Sequence, residues 1–151
     1  MEAAAASNVH ETRIATRWTD FDPLGHLTHS IVFDYFDEAR TQVLRRLVGD
    51  FEEWPHVVVH VEADFRREVA HGASDLVVRT WVADMKKVTS LRRYEILRDG
   101  SGKRILLAKA ATDWAFIHYA TGMPKRIPAE VSGAFEIVTD GSSEFGVRCA
   151  E

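Results

Sequence analysis

The chain has 151 residues, of which 46% are hydrophobic and 28% are charged, and its formal net charge is −4. This length and balance are typical of one globular domain with its own hydrophobic core. The negative charge argues against a general nucleic-acid binder, because such proteins carry a net basic surface. A local basic patch that holds a phosphorylated ligand is still compatible with it.

Cysteine content and the N-terminal residues favour a cytosolic protein. The single cysteine, Cys149, cannot form an internal disulfide and has no metal-ligand spacing around it, which is typical of a reducing compartment. Residues 1–10 are rich in alanine and lack the basic region and apolar stretch of a signal peptide. No run of about 18 apolar residues occurs, so we expect no membrane span.

The first part of the chain predicts a strand, a turn and a long helix. Residues 12–18 read as a short strand, and Pro23 and Gly25 mark a turn-rich segment after it. Thr28 can cap the following helix, and Gly49 can end it. The apolar stripe of this helix has spacings of three and four and consists of Val32, Tyr35, Phe36, Ala39, Val43 and Leu47.

The rest of the chain predicts strands, at residues 57–65, 76–82, 88–97 and 106–117. Asp99 and Gly100 indicate a hairpin turn between the last two strands. A short helix at residues 129–134 is expected in the weakly patterned tail. Two strands are expected to present one face each, the first with Val59, Val61, Ala63 and Phe65, the last with Leu106, Ala108, Ala110, Thr112, Trp114 and Phe116.

One long helix followed by consecutive strands predicts an α+β fold, with a curved antiparallel sheet wrapped around a central helix. We expect one domain over residues 1–151, with its core at about 12–128. Exposed strand edges favour dimerisation by sheet extension.

Two motifs resemble the opening of the 4-hydroxybenzoyl-CoA thioesterase-like family of hotdog-fold proteins. They are Arg-Trp-Thr-Asp-Phe-Asp-Pro-Leu-Gly-His at residues 17–26 and Tyr-Phe-Asp-Glu-Ala-Arg at residues 35–40. Later segments support the resemblance, which covers roughly residues 13–128. It implies a hotdog fold, hydrolysis of acyl-CoA thioesters, and a homodimer or dimer of dimers with the active site at a subunit interface.

The resemblance assigns two residues to catalysis. Asp22 matches the catalytic carboxylate, and His29 matches the position at the helix start whose backbone N–H polarises the thioester carbonyl. One branch of relatives, associated with the Tol-Pal envelope system, has Tyr, Asp and His where this chain has Trp18, Asp22 and His29. Trp18 supplies no phenol, so a tyrosine-dependent role does not carry over.

Local physical chemistry also favours Asp22 as a reactive carboxylate. Pro23 disfavours helical backbone at Asp22, which is therefore expected to be extended just before a tight turn. That turn leads into the helix, whose first N–H groups are unpaired and partly positive. A carboxylate there can act as nucleophile or general base beside an oxyanion site. The alternative is a turn residue that caps backbone N–H groups.

The two histidines near the helix start carry weaker hypotheses. His26 and His29 are three residues apart, but no third ligand is evident, so we expect no metal. The His29 side chain either orients water or substrate, or only its main chain matters. His26 is expected to stabilise the turn.

Charged residues elsewhere offer a second group of candidates. Lys86 and Lys87 lie between two predicted strands, just before Ser90, and this segment either binds a CoA phosphate or is a solvated hairpin tip. Arg66 and Arg67 are weaker candidates for the same role. Asp20 is expected to be a turn or salt-bridge residue.

The expected activity is therefore hydrolysis of an acyl-CoA thioester to free CoA and a carboxylic acid, without a metal or redox cofactor. Two alternatives stay open. One is a non-catalytic hotdog module that binds acyl-CoA, which predicts binding without release of thiol. The other is a hotdog enoyl-CoA hydratase, which predicts loss of the conjugated absorbance of an enoyl-CoA.

Overall fold

The computed structural model describes residues 8–49, 55–70, 76–100 and 103–139. Cys149 and the two residues between Gly100 and Lys103 lie outside the described residues. The elements in chain order are strand β1 (His10–Ile14), a 3-10 turn (Trp18–Asp20), helix α1 (His29–Val48), strands β2 (His56–Phe65), β3 (Leu76–Met85), β4 (Thr89–Gly100) and β5 (Lys103–Phe116), and the short helix α2 (Ala129–Ser132).

The five strands form one sheet in the order β1-β3-β4-β5-β2, and every pair of neighbours is antiparallel. Helix α1 packs its apolar stripe against one face of this sheet. The aromatic rings of Phe36 in the helix and Tyr94 in β4 lie 4.9 Å apart at the centre of the contact. The predicted α+β arrangement of a long helix on an antiparallel sheet is confirmed.

Helix α1 begins and ends where the sequence predicts. Thr28 is the N-cap residue, and Gly49, with φ 88°, follows the last helical residue. The stripe is buried from Val32 to Val43, but Leu47 is 38% exposed and Leu44 is buried instead. The prediction for Leu47 is wrong because the buried face of the last turns passes through Leu44 and Val48, and Val48 packs against a second apolar cluster.

Strand β1 differs from its predicted range of residues 12–18, since it covers His10–Ile14. The chain leaves the strand direction because the backbone N–H of Arg17 donates to the carboxylate of Asp20, at 2.8 Å, and the chain coils into the 3-10 turn. Trp18 lies in that turn and is 79% exposed. A local hydrogen bond therefore overrides the strand preference of residues 16–18.

The predicted face of strand β5 is right from Ala108 to Phe116 and wrong at Leu106. In the ladder, Ile96 pairs with Ala108 but Leu97 pairs with Leu106, so that Leu107 is an extra residue on β5. This bulge reverses the alternation. As a result Leu107, not Leu106, is buried in the core.

The chain after Pro128 also packs on the domain. Val131 in α2 is buried with Phe116 and Ile127, and Phe135 contacts the same cluster. The backbone N–H of Val138 donates to the carbonyl of Val82, at 2.9 Å. Neither of the two described helices is long and apolar enough to cross a membrane.

Strand β2 lies at the edge of the sheet and pairs only with β5 among the described strands. A register shift between Val58 and His60 interrupts the alternation that the sequence predicts. Ala63 packs against the core, whereas several larger apolar side chains of this strand are exposed. These are Val57, Val58, Val59, Val61 and Phe65.

Candidate active site

Asp22 opens a tight turn between the 3-10 turn and helix α1. The N–H of Gly25 donates to the carbonyl of Asp22, at 2.9 Å, and the N–H of Asp22 donates to the carbonyl of His26, at 2.8 Å. Asp at the first position, Pro at the second and Gly at the fourth are the residues that such a turn favours. Gly25 has φ 77°, which suits a residue without a side chain.

The carboxylate of Asp22 is partly used by this turn. Its Oδ1 accepts the backbone N–H groups of Leu24, at 2.9 Å, and His26, at 3.1 Å. Within the described residues, Oδ2 accepts no hydrogen bond, and the side chain is half-buried. The turn therefore fixes the orientation of the carboxylate and leaves one oxygen for other chemistry.

The start of helix α1 carries amide groups without backbone partners. The N–H of Thr28 donates to the carbonyl of Asp20, and that of Ile31 donates to Thr28. In the described part of the chain no backbone carbonyl accepts from His29 or Ser30, and the Thr28 side chain makes no capping bond. The helix end is a site of partial positive charge that an oxyanion can satisfy.

Asp22 and His29 line one cavity of about 440 Å³. The Leu27, Val32 and Phe65 side chains contribute apolar walls, and Ile96 and Leu107 from the sheet extend them. The size is within the range of small-molecule sites, which combine apolar walls with a few polar groups. The structure therefore brings together the two residues that sequence reasoning assigned to catalysis.

Asp20 lies two residues before Asp22 but is buried, with 1% exposure. It accepts hydrogen bonds from the Tyr35 hydroxyl, at 2.6 Å, and from the backbone and side chain of Arg17. Burial favours a raised pKa for Asp20, but the hydrogen bonds from Tyr35 and Arg17 outweigh it and the pKa is lowered. Burial and the bond to Asp20 raise the pKa of Tyr35. The predicted salt-bridge role of Asp20 is confirmed.

The rim of the cavity carries charged side chains at the end of β2. The His26 ring contacts the carboxylate of Glu68, at 3.1 Å, and the His26 backbone forms a bridge with Ala70. Arg66 and Arg67, the weaker candidates for phosphate binding in the sequence, also line the cavity. The signal that identifies them is a pair of cations directly after a strand with an apolar end.

Lys86, Lys87 and Ser90 lie at the opposite end of the sheet within one subunit. The N–H of Lys86 donates to the carbonyl of Thr89 in the β3–β4 hairpin. Ser90 and Ile96 both lie on β4, six residues apart, which corresponds to about 20 Å. In a single subunit these residues and Asp22 therefore do not share a cavity, and their role in substrate binding stays a prediction.

No His, Cys, Asp and Glu side chains form a group of three suited to a metal ion within the described ranges. His26 pairs with Glu68, and His29 is exposed at the helix start. The chemistry that this arrangement can perform is acid–base or nucleophilic, with a carboxylate facing free amide donors.

Solved structures from several bacteria share this fold. A predicted thioesterase from Bacillus stearothermophilus has a TM-score of 0.77 at 20% identity, covering 88% of this chain and 99% of that one. A thioesterase from Thermus thermophilus in complex with coenzyme A and zinc has a TM-score of 0.73 at 22% identity, covering 85% and 91%.

A third structure is a 4-hydroxybenzoyl-CoA thioesterase mutant in complex with 4-hydroxybenzoyl-CoA. It has a TM-score of 0.77 at 13% identity and covers 86% of this chain and 100% of that one. These likenesses confirm the predicted hotdog fold. No curated protein matches the chain at a significant level.

The family model of the thioesterase-like superfamily matches residues 16–135, which include the Asp22 turn, helix α1 and the whole of β2 to β5. With the fold and this match together, the chain belongs to the thioesterase-like superfamily.

Proposed function

We propose that this protein is a cytoplasmic homodimeric thioesterase that hydrolyses acyl-CoA to free CoA and a carboxylic acid. The observation that carries the proposal is that Asp22, with one carboxylate oxygen unbonded, and His29, with an unbonded backbone amide, line the same cavity. A thioester is an activated acyl group, so these parts suffice for its hydrolysis.

Asp22 supplies the reactive oxygen. As a nucleophile, its Oδ2 attacks the thioester carbonyl, the C–S bond breaks, CoA leaves as the thiolate, and water then cleaves the acyl anhydride. As a general base, Oδ2 takes a proton from the water that attacks the same carbonyl. An acyl adduct on Asp22, detected by mass spectrometry after rapid quenching, is expected only from the nucleophilic route.

The helix start supplies the oxyanion site. Negative charge develops on the carbonyl oxygen as the tetrahedral intermediate forms, and the unpaired His29 N–H is available to donate to that oxygen. A preorganised donor of this kind contributes about 3 to 4 kcal/mol to catalysis in other enzymes. The partial positive charge of the helix end adds to this stabilisation.

The exposed edge of β2 supports a dimer. A row of apolar side chains on an unpaired strand edge is unfavourable in water and is a common surface for sheet extension. Pairing two copies of β2 joins the sheets and covers Val59 and Val61. Light scattering on the purified protein is expected to give twice the 17.1 kDa mass of the chain.

The binding of CoA uses cations around the cavity. Arg66 and Arg67 line it directly, and Lys86, Lys87 and Ser90 of a second subunit are further candidates for the phosphates. Positive side chains at a cleft mouth raise both the affinity and the association rate of an anionic substrate.

The test is the substitution Asp22→Asn. The amide oxygen of Asn can still accept from Leu24 and His26, so the turn is kept while the nucleophile or base is lost. We expect the rate of thiol release from a panel of acyl-CoA esters to fall by about 10²- to 10⁴-fold. The matched control is Asp84→Asn, an exposed carboxylate on β3 that lies outside the cavity, which should leave the rate unchanged.

A non-catalytic acyl-CoA-binding module is the second candidate. It is favoured by the two hydrogen bonds that Asp22 already makes, because they account for an aspartate at this position without any chemistry. This candidate predicts that acyl-CoA binds with no release of thiol. It also predicts that Asp22→Asn binds as well as the wild type.

A further inference from the structure

Two arginines are buried under the far end of helix α1. Arg40 comes from the helix and is 9% exposed, and Arg92 comes from β4 and is 5% exposed. Arginine is among the residues most rarely buried without a charged partner, because desolvation of its guanidinium costs free energy. The contacts of the two side chains therefore matter for function.

Arg92 has no carboxylate partner among the described residues, and the only one of Arg40 is exposed. Arg92 donates to the hydroxyl of Thr80, at 3.2 Å, and no carboxylate of the described residues lies within ion-pair distance of it. Arg40 contacts Asp37 at 3.4 Å, but that carboxylate is 60% exposed. Burial, together with repulsion from Arg40, lowers the pKa of Arg92 to about 10. Arg92 therefore stays a cation at neutral pH.

An aromatic ring covers one face of each guanidinium. The Arg40 guanidinium carbon lies 3.9 Å from the ring centroid of Trp114, and that of Arg92 lies 5.0 Å from the ring centroid of Phe135. These faces are therefore shielded from water by cation–π contacts. The N–H groups lie in the guanidinium plane, where an anion binds.

His56 completes the Arg40 end of this cluster. Arg40 Nη1 lies 2.8 Å from His56 Nε2, and because arginine can only donate, this histidine nitrogen accepts the hydrogen bond. His56 is therefore neutral when this bond is formed and does not add a third charge. Its ring stacks on Phe116, with 5.3 Å between centroids.

A small cavity lies between the two arginines. It measures about 20 Å³. This is about the room that one water molecule needs. A group that enters must be compact, such as an oxygen of a carboxylate or a halide ion.

We propose that Arg40 and Arg92 form a subsite for the carboxylate at the far end of the acyl group, so that the preferred substrates are CoA monothioesters of dicarboxylic acids. Two guanidiniums around one small space are suited to a carboxylate, because both can donate charge-assisted hydrogen bonds to it. A methyl end gains nothing from either cation.

The position of the subsite follows from the dimer and therefore rests on the proposed function. If β2 pairs along its whole length with β2 of a second copy, the two-fold axis passes near the middle of the strand. Phe65, at the Asp22 cavity, then faces His56 of the partner subunit. In each subunit His56 contacts Arg40. The thioester is held by one subunit and the far end of the acyl group by the other.

The test compares CoA thioethers, which cannot be hydrolysed, with chains of about four to eight carbons that end in a carboxylate or in a methyl group. Calorimetry on the wild type should show preference for the carboxylate end at one or more chain lengths, by about tenfold to a hundredfold. Arg92→Met should lose this preference while binding the methyl-ended thioethers within about twofold of the wild type. Arg98→Met, at an exposed arginine of the same strand, should keep it.

Folding of the variant is checked by its melting temperature. Methionine removes an unpaired buried charge and fills similar space, so Arg92→Met is expected to melt at or above the wild-type temperature. If it unfolds instead, Arg92→Lys, which keeps a cation but not the planar fork, should show a reduced carboxylate preference in a folded protein.

Three results would overturn the proposal: no preference in the wild type, an unchanged preference in Arg92→Met, or a carboxylate of the second subunit in contact with Arg92 in a crystal structure. Free chloride and acetate are the alternative ligands. If either raises the wild-type melting temperature while the thioethers show no preference, the site holds a free anion and the acyl assignment is wrong. If carboxylate-ended thioethers bind preferentially but no ester is hydrolysed, the subsite proposal holds and the proposed thioesterase activity is wrong.

Discussion

Two aspartates lie two residues apart before helix α1, in regions with opposite properties. In the Asp20 anchor, formed by Arg17, Asp20 and Tyr35, the carboxylate of Asp20 is buried and accepts hydrogen bonds from the other two residues. The Asp22 turn, residues 22–26, holds a half-buried carboxylate by one oxygen only. Identical side chains therefore differ in how many of their lone pairs the protein uses.

The difference separates stability from chemistry in this segment. All the donors of the anchor point at a charge that is already in place, so it fixes the loop to the helix without reactivity. The turn leaves an oxygen unbonded in the cavity that the unbonded amide of His29 also lines, and both conditions are unfavourable unless a ligand satisfies them. We therefore expect changes in the anchor to alter folding and changes in the turn to alter turnover.

The largest effect expected on the anchor is that of Tyr35→Phe, which removes a buried hydrogen bond to a charged group. The free energy of unfolding, measured in urea, should fall by about 1.5 to 3 kcal/mol. Tyr119→Phe is the matched control, because that hydroxyl belongs to a side chain that is 89% exposed. An equal loss in both variants would contradict the role of the anchor.

The loss of stability caused by Tyr35→Phe is expected to depend on pH. The pKa of Asp20 is lowered in the folded state, since its hydrogen bonds outweigh the effect of burial. The resulting stabilisation is present above the unfolded-state pKa of about 3.9 and is lost as the pH falls through the lower folded-state value. The stability difference between wild type and Tyr35→Phe should therefore shrink below about pH 4, and a difference that grows there would be inconsistent with an ionised Asp20.

A smaller effect is expected in the turn from Gly25→Ala. The positive φ of 77° strains any residue with a Cβ atom by about 1 to 2 kcal/mol, although nothing lies within 4 Å of the position that Cβ would take. Gly25→Asn should cost less, because asparagine adopts this conformation more readily. Equal losses of unfolding free energy would point to a steric cause instead.

The smallest effect is expected from Thr28→Asp. Thr28 makes no capping bond, so aspartate should add one to the first amides and stabilise the protein by about 0.5 to 1 kcal/mol. The same bond competes with the oxyanion for the amides, and thiol release should slow. Thr28→Ala is the control, since it removes a hydroxyl that caps nothing and should change neither quantity by much.

The fold was largely predictable, because the repeating patterns that specify it are local. The stripe from Val32 to Val43 predicts helix α1, and the alternation from Ala108 to Phe116 predicts one face of β5. Predictions failed where a single hydrogen bond or a bulge interrupts the pattern, at residues 16–18 and at Leu106. No local signal marks either event, since both depend on the partner segment.

The site was predictable only in part. Asp22 and His29 are marked by proline, glycine and a helix start within eight residues, and the resemblance to a family added their roles. The burial of Arg40 and Arg92 was not predicted, because an arginine in a helix or strand is normally expected to lie on the solvent-exposed face. For Arg92 the sequence does contain an indication of burial, since Arg92 is spaced by two residues from Tyr94 and by four from Ile96 and therefore lies on the same face of β4.

The most direct test measures kcat for thiol release and the free energy of unfolding on Asp20→Asn and Asp22→Asn side by side. We predict that Asp22→Asn loses about 10²- to 10⁴-fold in kcat with little change in stability. Asp20→Asn should lose about 1.5 to 3 kcal/mol of stability and retain most of its turnover when folded. Full activity in Asp22→Asn, or the reverse assignment of the two losses, would contradict the catalytic role of Asp22.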